Sequence, residues 1–190
     1  MHKTGAAPRL SLLPHPQTAS DAVRRIFAWA DRLAADTLRL QYVLEADLAR
    51  VLVPARLPGR GGREDRLWAH TCFEAFVAVA DQPGYLELNF SPSGQWAAYR
   101  FDAYRAGMAP ADLLETPQIE IRRDQRQLEL RARVRMPLAG GWRLALSAVV
   151  EGETGGLSYW ALRHAPGRPD FHHPESFSLA LEPPISPPES

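Results

Sequence analysis

Short runs of alternating apolar and polar residues, separated by Gly- and Pro-rich breaks, recur along this chain. Residues 37–45 set the pattern, with Leu38, Leu40, Tyr42 and Leu44 against polar partners; a period of two puts successive side chains on opposite faces of a strand. Residues 127–136 repeat it, with Leu128, Leu130, Ala132, Val134 and Met136 apolar, and 142–151 do so with Trp142, Leu144, Leu146, Ala148 and Val150. Residues 10–13, 24–32, 71–79, 85–90, 96–105, 118–122, 157–163 and 177–181 read as further strands. Turn chemistry at 81–84 and 91–94 links three of them into a meander, and 118–136 forms a hairpin about residues 123–126. Residues 46–52 read as a helical turn, and 54–66, 107–117 and 164–176 as irregular. About nine to eleven short strands and no long helix predict an all-β chain. The expected fold is one antiparallel β-sandwich, immunoglobulin-like or jelly-roll-like, over residues 1–182, followed by a Pro-rich disordered tail at 183–190.

Composition removes several function classes. Lys+Arg and Asp+Glu number 22 each, so no overall field draws nucleic acid or an anionic membrane. No apolar run of about 18 residues is present, so no membrane-spanning helix is expected. The single cysteine, Cys72, allows neither an internal disulfide nor a cysteine metal cluster. The first eight residues lack the apolar core of a secretory signal, and the expectation is a cytoplasmic protein.

Parity assigns faces to the meander. Phe73, Ala75, Val77 and Val79 oppose Cys72, Glu74 and Phe76; Leu86, Leu88 and Phe90 oppose Tyr85, Glu87 and Asn89; Ala97, Tyr99 and Phe101 oppose Trp96, Arg100 and Asp102. The face away from the core is thereby expected to gather Glu74, Glu87, Asn89 and Arg100, with Tyr85 and Trp96 among them. Carboxylates, an amide and a guanidinium on one face can hydrogen-bond a polyhydroxylated ligand. A solvated outer face with a Glu–Arg ion pair has the same parity.

The stretch 68–74 (WAHTCFE), the later Asn89-Phe90 and the closing 171–177 (FHHPESF) resemble carbohydrate-binding module family 9, a branch of the DOMON-like sandwich superfamily. Residues 67–105 together with 159–164 and 169–172 are similar to bacterial DOMON-like proteins of unassigned function. The resemblance implies a non-catalytic site in which two aromatic rings sandwich a terminal sugar over polar sheet residues. Trp68 stands at the first ring, Glu74 at the acid six places on, Phe171 where a Trp usually stands, and His172 at a commonly basic position. Glu87 falls near an often polar sheet position. Thr71 replaces an acid common in the first motif, and Phe171 offers a smaller platform than Trp.

Other chemistries fit less well. Some DOMON relatives hold haem through Met and His, for which Met108, Met136, His164 and His172 are the candidates. Adjacent histidines at 172 and 173 lack the spacing of a zinc site. Glu74 and Glu87 could form a glycosidase pair, as could any cross-strand pair of acids, and Cys72 has no nucleophile elbow around it. The Arg-rich stretch at 122–135 alternates with apolar residues as a solvated strand face does. A protein partner docking on the Trp68 and Phe171 rings is the alternative to a small ligand.

Overall fold

The computed structural model describes residues 7–59, 61–80 and 82–184. Its strands are β1 (Leu10–Pro14), β2 (Val23–Ala34), β3 (Thr37–Ala46), β4 (Cys72–Val79), β5 (Tyr85–Phe90), β6 (Trp96–Phe101), β7 (Ala109–Pro110), β8 (Gln118–Arg123), β9 (Gln127–Arg135), β10 (Trp142–Glu151), β11 (Leu157–Ala161) and β12 (Leu179–Leu181). Three short 3₁₀ turns accompany them, and no α-helix occurs among the described residues. The fold is all-β and antiparallel, as the alternation predicts.

One layer runs β7-β6-β5-β4-β10-β11, with β12 also on β10; the other runs β2-β3-β9-β8. β1 joins them. Its Leu10, Ser11 and Leu12 pair with β2, whereas Leu13 and Pro14 pair with β11. The sheet thus curls over on itself and encloses the inward residues of both layers, among them Leu40, Leu44 and Leu130 from one and Phe73, Leu88 and Leu146 from the other.

Tyr42 fastens the layers together. Its ring stacks on Phe73 at 5.1 Å between centroids, and its buried hydroxyl donates to the Glu74 carbonyl at 2.7 Å. Tyr42→Phe keeps the ring and leaves that carbonyl without its donor, so it is expected to cost about 1–2 kcal/mol. Urea denaturation measures the loss, and an unchanged midpoint would refute it.

Several boundaries differ from the alternation pattern. Residues 46–52 form a turn rather than a helical one: the Asp47 carbonyl accepts from Arg50 N at 3.0 Å and its side chain from Ala49 N at 3.2 Å. β6 ends at Phe101, and residues 102–106 reverse direction, with Arg105 at φ 52°. Arg60, Asp81 of the expected 81–84 turn and the expected tail from residue 185 onward lie outside the described residues.

The outer face of the β4–β5–β6–β10 layer is not solvated. Phe76, Tyr85, Tyr99, Phe101 and Val149 form a second apolar cluster there, closed over by Leu67, Phe171 and Phe177. The covering segment, 164–177, is the Pro- and His-rich stretch.

Candidate functional site

Strand register lays out the floor in rows. Ser147 of β10, Glu74 of β4, Asn89 of β5 and Ala97 of β6 form one row; Ala145, Phe76, Glu87 and Tyr99 form the next. Glu74 and Glu87 are therefore diagonal neighbours on one face, a separation across which side chains interact. Both are buried, at 2% and 5% exposure. Ser147 Oγ donates to Glu74 Oε2 at 3.3 Å, and Asn89 Nδ2 donates to Glu87 Oε1 at 2.7 Å.

Burial, and then the charge of Glu87, push the Glu74 carboxyl well above the usual range, against the Ser147 hydrogen bond. Glu87 is also raised by burial, opposed by Asn89 and by the charge of Arg105. Beside them the Cys72 thiol, fully buried, is pushed up by burial and by Glu74. It is a packed residue with little thiolate to offer.

The covering segment completes the site. Phe171 wedges against Phe76 and Tyr159, with centroids at 6.4 and 5.9 Å. The His172 ring packs edge-on to Phe76 and Phe101, both at 5.0 Å. Its Nδ1 lies 2.8 Å from the Tyr85 hydroxyl and its Nε2 3.7 Å from Glu87 Oε2. With Tyr85 donating, the remaining imidazole N–H points toward Glu87. Burial, followed by the charge of Arg105, lowers His172 to about 4, so the ring is neutral at pH 7.

Asp170 anchors this segment. Its carboxylate receives Arg105 Nη2 at 2.8 Å and Nε at 3.2 Å, the Tyr104 hydroxyl, and the His172 backbone N–H at 3.0 Å. Burial alone would raise Asp170, but Arg105 and Tyr104 hold it below the ordinary value.

On the opposite side, Trp68 sits in the 3₁₀ turn Leu67–Ala69. Its ring meets Tyr99 edge-on at 5.5 Å, and the Tyr99 hydroxyl donates to Asp65 at 2.6 Å. Trp68, Glu74, Glu87, Phe171 and His172 line one cleft of about 1100 Å³. Asn89 is fully buried, does not line the cleft, and meets it only through its hydrogen bond to Glu87. A depression of about 380 Å³ behind the Trp68 turn holds none of these residues and no Phe, Tyr or Trp.

Arg100 is elsewhere. It pairs with Leu86, on the opposite face of β6 from Tyr99, and is exposed beside Asp102 at 3.1 Å. Trp96 likewise packs on the main core. The parity of β6 is thus reversed from the expected one, because Tyr99 and Phe101 belong to the second apolar cluster and Trp96 and Ala98 to the first. Tyr104, Arg105, Tyr159 and Asp170 line the cleft without having been expected there. Arg105 and Asp170 carry opposite charges, a signal in principle, but their positions are 65 residues apart.

Haem fits this donor set poorly. Met136 is buried between the layers. Of the cleft residues, Met108 is exposed at 48%, and both His172 nitrogens face polar groups of the protein. His164 turns Nε2 to the Leu13 carbonyl at 2.8 Å, and His173 Nδ1 accepts from Glu175 N at 3.2 Å. Among the described residues no three His, Cys, Asp or Glu side chains are placed to hold a metal ion.

No protein-family model matches the chain, and no curated protein matches it in sequence. Solved structures do match it in three dimensions. A candidate carbohydrate-binding protein from Bacteroides uniformis superposes with a TM-score of 0.65 at 15% identity, over 93% of this chain and 86% of that one. A family 9 carbohydrate-binding module from Caldicellulosiruptor kristjanssonii, in complex with glucose, gives 0.55 at 8% identity over 97% and 86% of the two chains. The fold is shared with family 9 carbohydrate-binding modules. The complex of that module with cellotriose gives 0.56 at 9% identity over 95% and 89%. At these identities the likeness is one of fold alone.

Proposed function

We propose that this chain is a non-catalytic sugar-binding domain, a DOMON-like relative of the family 9 modules, which takes a terminal sugar unit in the cleft beneath residues 164–177. The observation that carries the reading is the combination of half-buried aromatic rings with a polar floor in one cleft. Trp68 and Tyr159 expose ring surface to it, while the Glu74 and Glu87 carboxyls form its polar floor. Sugar C–H faces stack on such rings, and hydroxyls pair with such groups. Phe171, at 8% exposure, serves as the wall behind Tyr159 more than as an open platform. The sugars bound to the structural neighbours support the reading.

Titration with glucose, cellobiose and N-acetylglucosamine, followed by tryptophan fluorescence and calorimetry, tests it. Trp68→Ala is expected to weaken binding at least tenfold, since each tenfold is about 1.4 kcal/mol and a buried Trp contact commonly exceeds that. Equal affinity in wild type and Trp68→Ala would refute the site. If no sugar binds, the aromatic cleft is better read as a surface for a protein partner.

A further inference from the structure

Two carboxyl side chains, both more than nine-tenths buried, share the cleft floor, and among the described residues no Arg side chain forms an ion pair with either. Glu74 meets only the Ser147 hydroxyl, on Oε2; its Oε1 has no hydrogen-bond partner among the described residues, although the residue lines the cleft. Glu87 receives the Asn89 amide and faces a His172 ring that is neutral at pH 7. Of the other charges lining this space, Arg105 is taken up by Asp170 at 2.8 Å, and Arg168, exposed on the covering segment, stands as a further cation at the rim. Burying two acids in this way is costly unless something compensates them.

The surroundings of the pair narrow what that compensation is. Trp68, Phe76, Phe101, Tyr159 and Phe171 supply the walls. Aromatic faces attract an organic cation through their quadrupoles, and ionised carboxylates accept short, strong N–H bonds from it. A neutral sugar uses the rings but leaves both acids with hydroxyl partners only.

Resting on the sugar-binding reading, we propose that the ligand is an amino sugar, whose ammonium group is received by Glu74 and Glu87 while its hydroxyls and C–H faces meet the rest of the cleft. Both acids hold their protons more tightly than usual in the free protein. Arrival of the ammonium ion favours the ionised form and weakens the pair's hold on its protons, so any carboxyl proton still bound passes to the solvent while the ligand keeps its own charge.

Calorimetric titration of the full chain at pH 7 with glucosamine, glucose and N-acetylglucosamine, in two buffers of different ionisation enthalpy, tests this. Glucosamine is expected to bind at least tenfold more tightly than the other two and to release protons on binding. Glu74→Gln and Glu87→Gln, which keep size and shape, should bring the glucosamine-to-glucose ratio of affinities toward one. Trp68→Ala should weaken all three sugars and leave the ratio in place. Glucose or N-acetylglucosamine binding as tightly as glucosamine would overturn the amine assignment and leave the sugar reading standing. Failure of all three to bind would overturn the sugar reading itself.

Discussion

Glu74→Gln is expected to stabilise the protein at pH 7, by on the order of 2 kcal/mol. The folded chain holds the Glu74 proton more tightly than the unfolded chain does, because of burial and the neighbouring Glu87. A group raised in this way contributes stability below its unfolded value of 4.5, and that stability is lost as pH rises toward the folded value. Glutamine does not titrate and fits the same space, so the variant should show a flatter decline on the alkaline side. Urea denaturation of both proteins at pH 5 and pH 8 measures this, with the gap between them widening at pH 8. A variant less stable than wild type at pH 8 would mean that the buried carboxylate has compensation within the fold. A site residue whose replacement improves stability is what a binding function bought at the expense of the fold looks like.

The second large effect lies on the acid side. His172 is lowered from 6.5 to about 4 by burial and by Arg105, so the unfolded chain binds a proton there sooner than the folded one. Its contribution is intact above 6.5 and drains away as pH falls toward 4, on the order of 3 kcal/mol at 1.36 kcal/mol per unit. Glu74 and Glu87 act in the opposite sense over part of this range, so the informative quantity is the difference between wild type and His172→Gln. That difference should move in favour of the variant by roughly the same amount between pH 6.5 and 4. Parallel acid profiles for the two proteins would show that the imidazole is protonated alike in both states. The charge of Asp170 favours the protonated ring and offsets part of the shift, whereas Arg105 opposes any charge on it.

The parts of this site that alternation could reach were those on regular strands. Glu74, Glu87 and Asn89 fall on the expected face because β4 and β5 keep an unbroken period of two from end to end. β6 defeats the same logic. Large aromatic residues stand at both parities, Trp96 on one face and Tyr99 and Phe101 on the other, and both faces turn out to be covered. Choosing a core face from hydrophobicity alone then puts Arg100 on the cleft side of β6 and Tyr99 on the core side, the reverse of what is found. Burial of the floor was illegible for a related reason: the covering residues 164–177 have no period, so nothing local says that they fold back over β4 and β5. Trp68, Phe171 and His172 stand out only by their likeness to the family motifs, and all three line one cleft. Arg105 closes the expected strand 96–105, whereas its positive φ and the turn at 102–106 swing it toward Asp170.

The strand that joins the two layers has a consequence for how the molecule is made. β1 meets β2 close at hand, but its other half waits for β11, and the Leu13 carbonyl for His164, 151 residues further along. Contacts of such long range are slow to form, since the chain between them must be brought to order first. On the ribosome the β2–β3 hairpin can form early, while the cleft has neither its cover nor its closing seam until the last quarter of the chain has emerged. A ligand held in that cleft would therefore act on the final step of folding, and in refolding experiments it should slow unfolding more than it speeds the collapse of the hairpins.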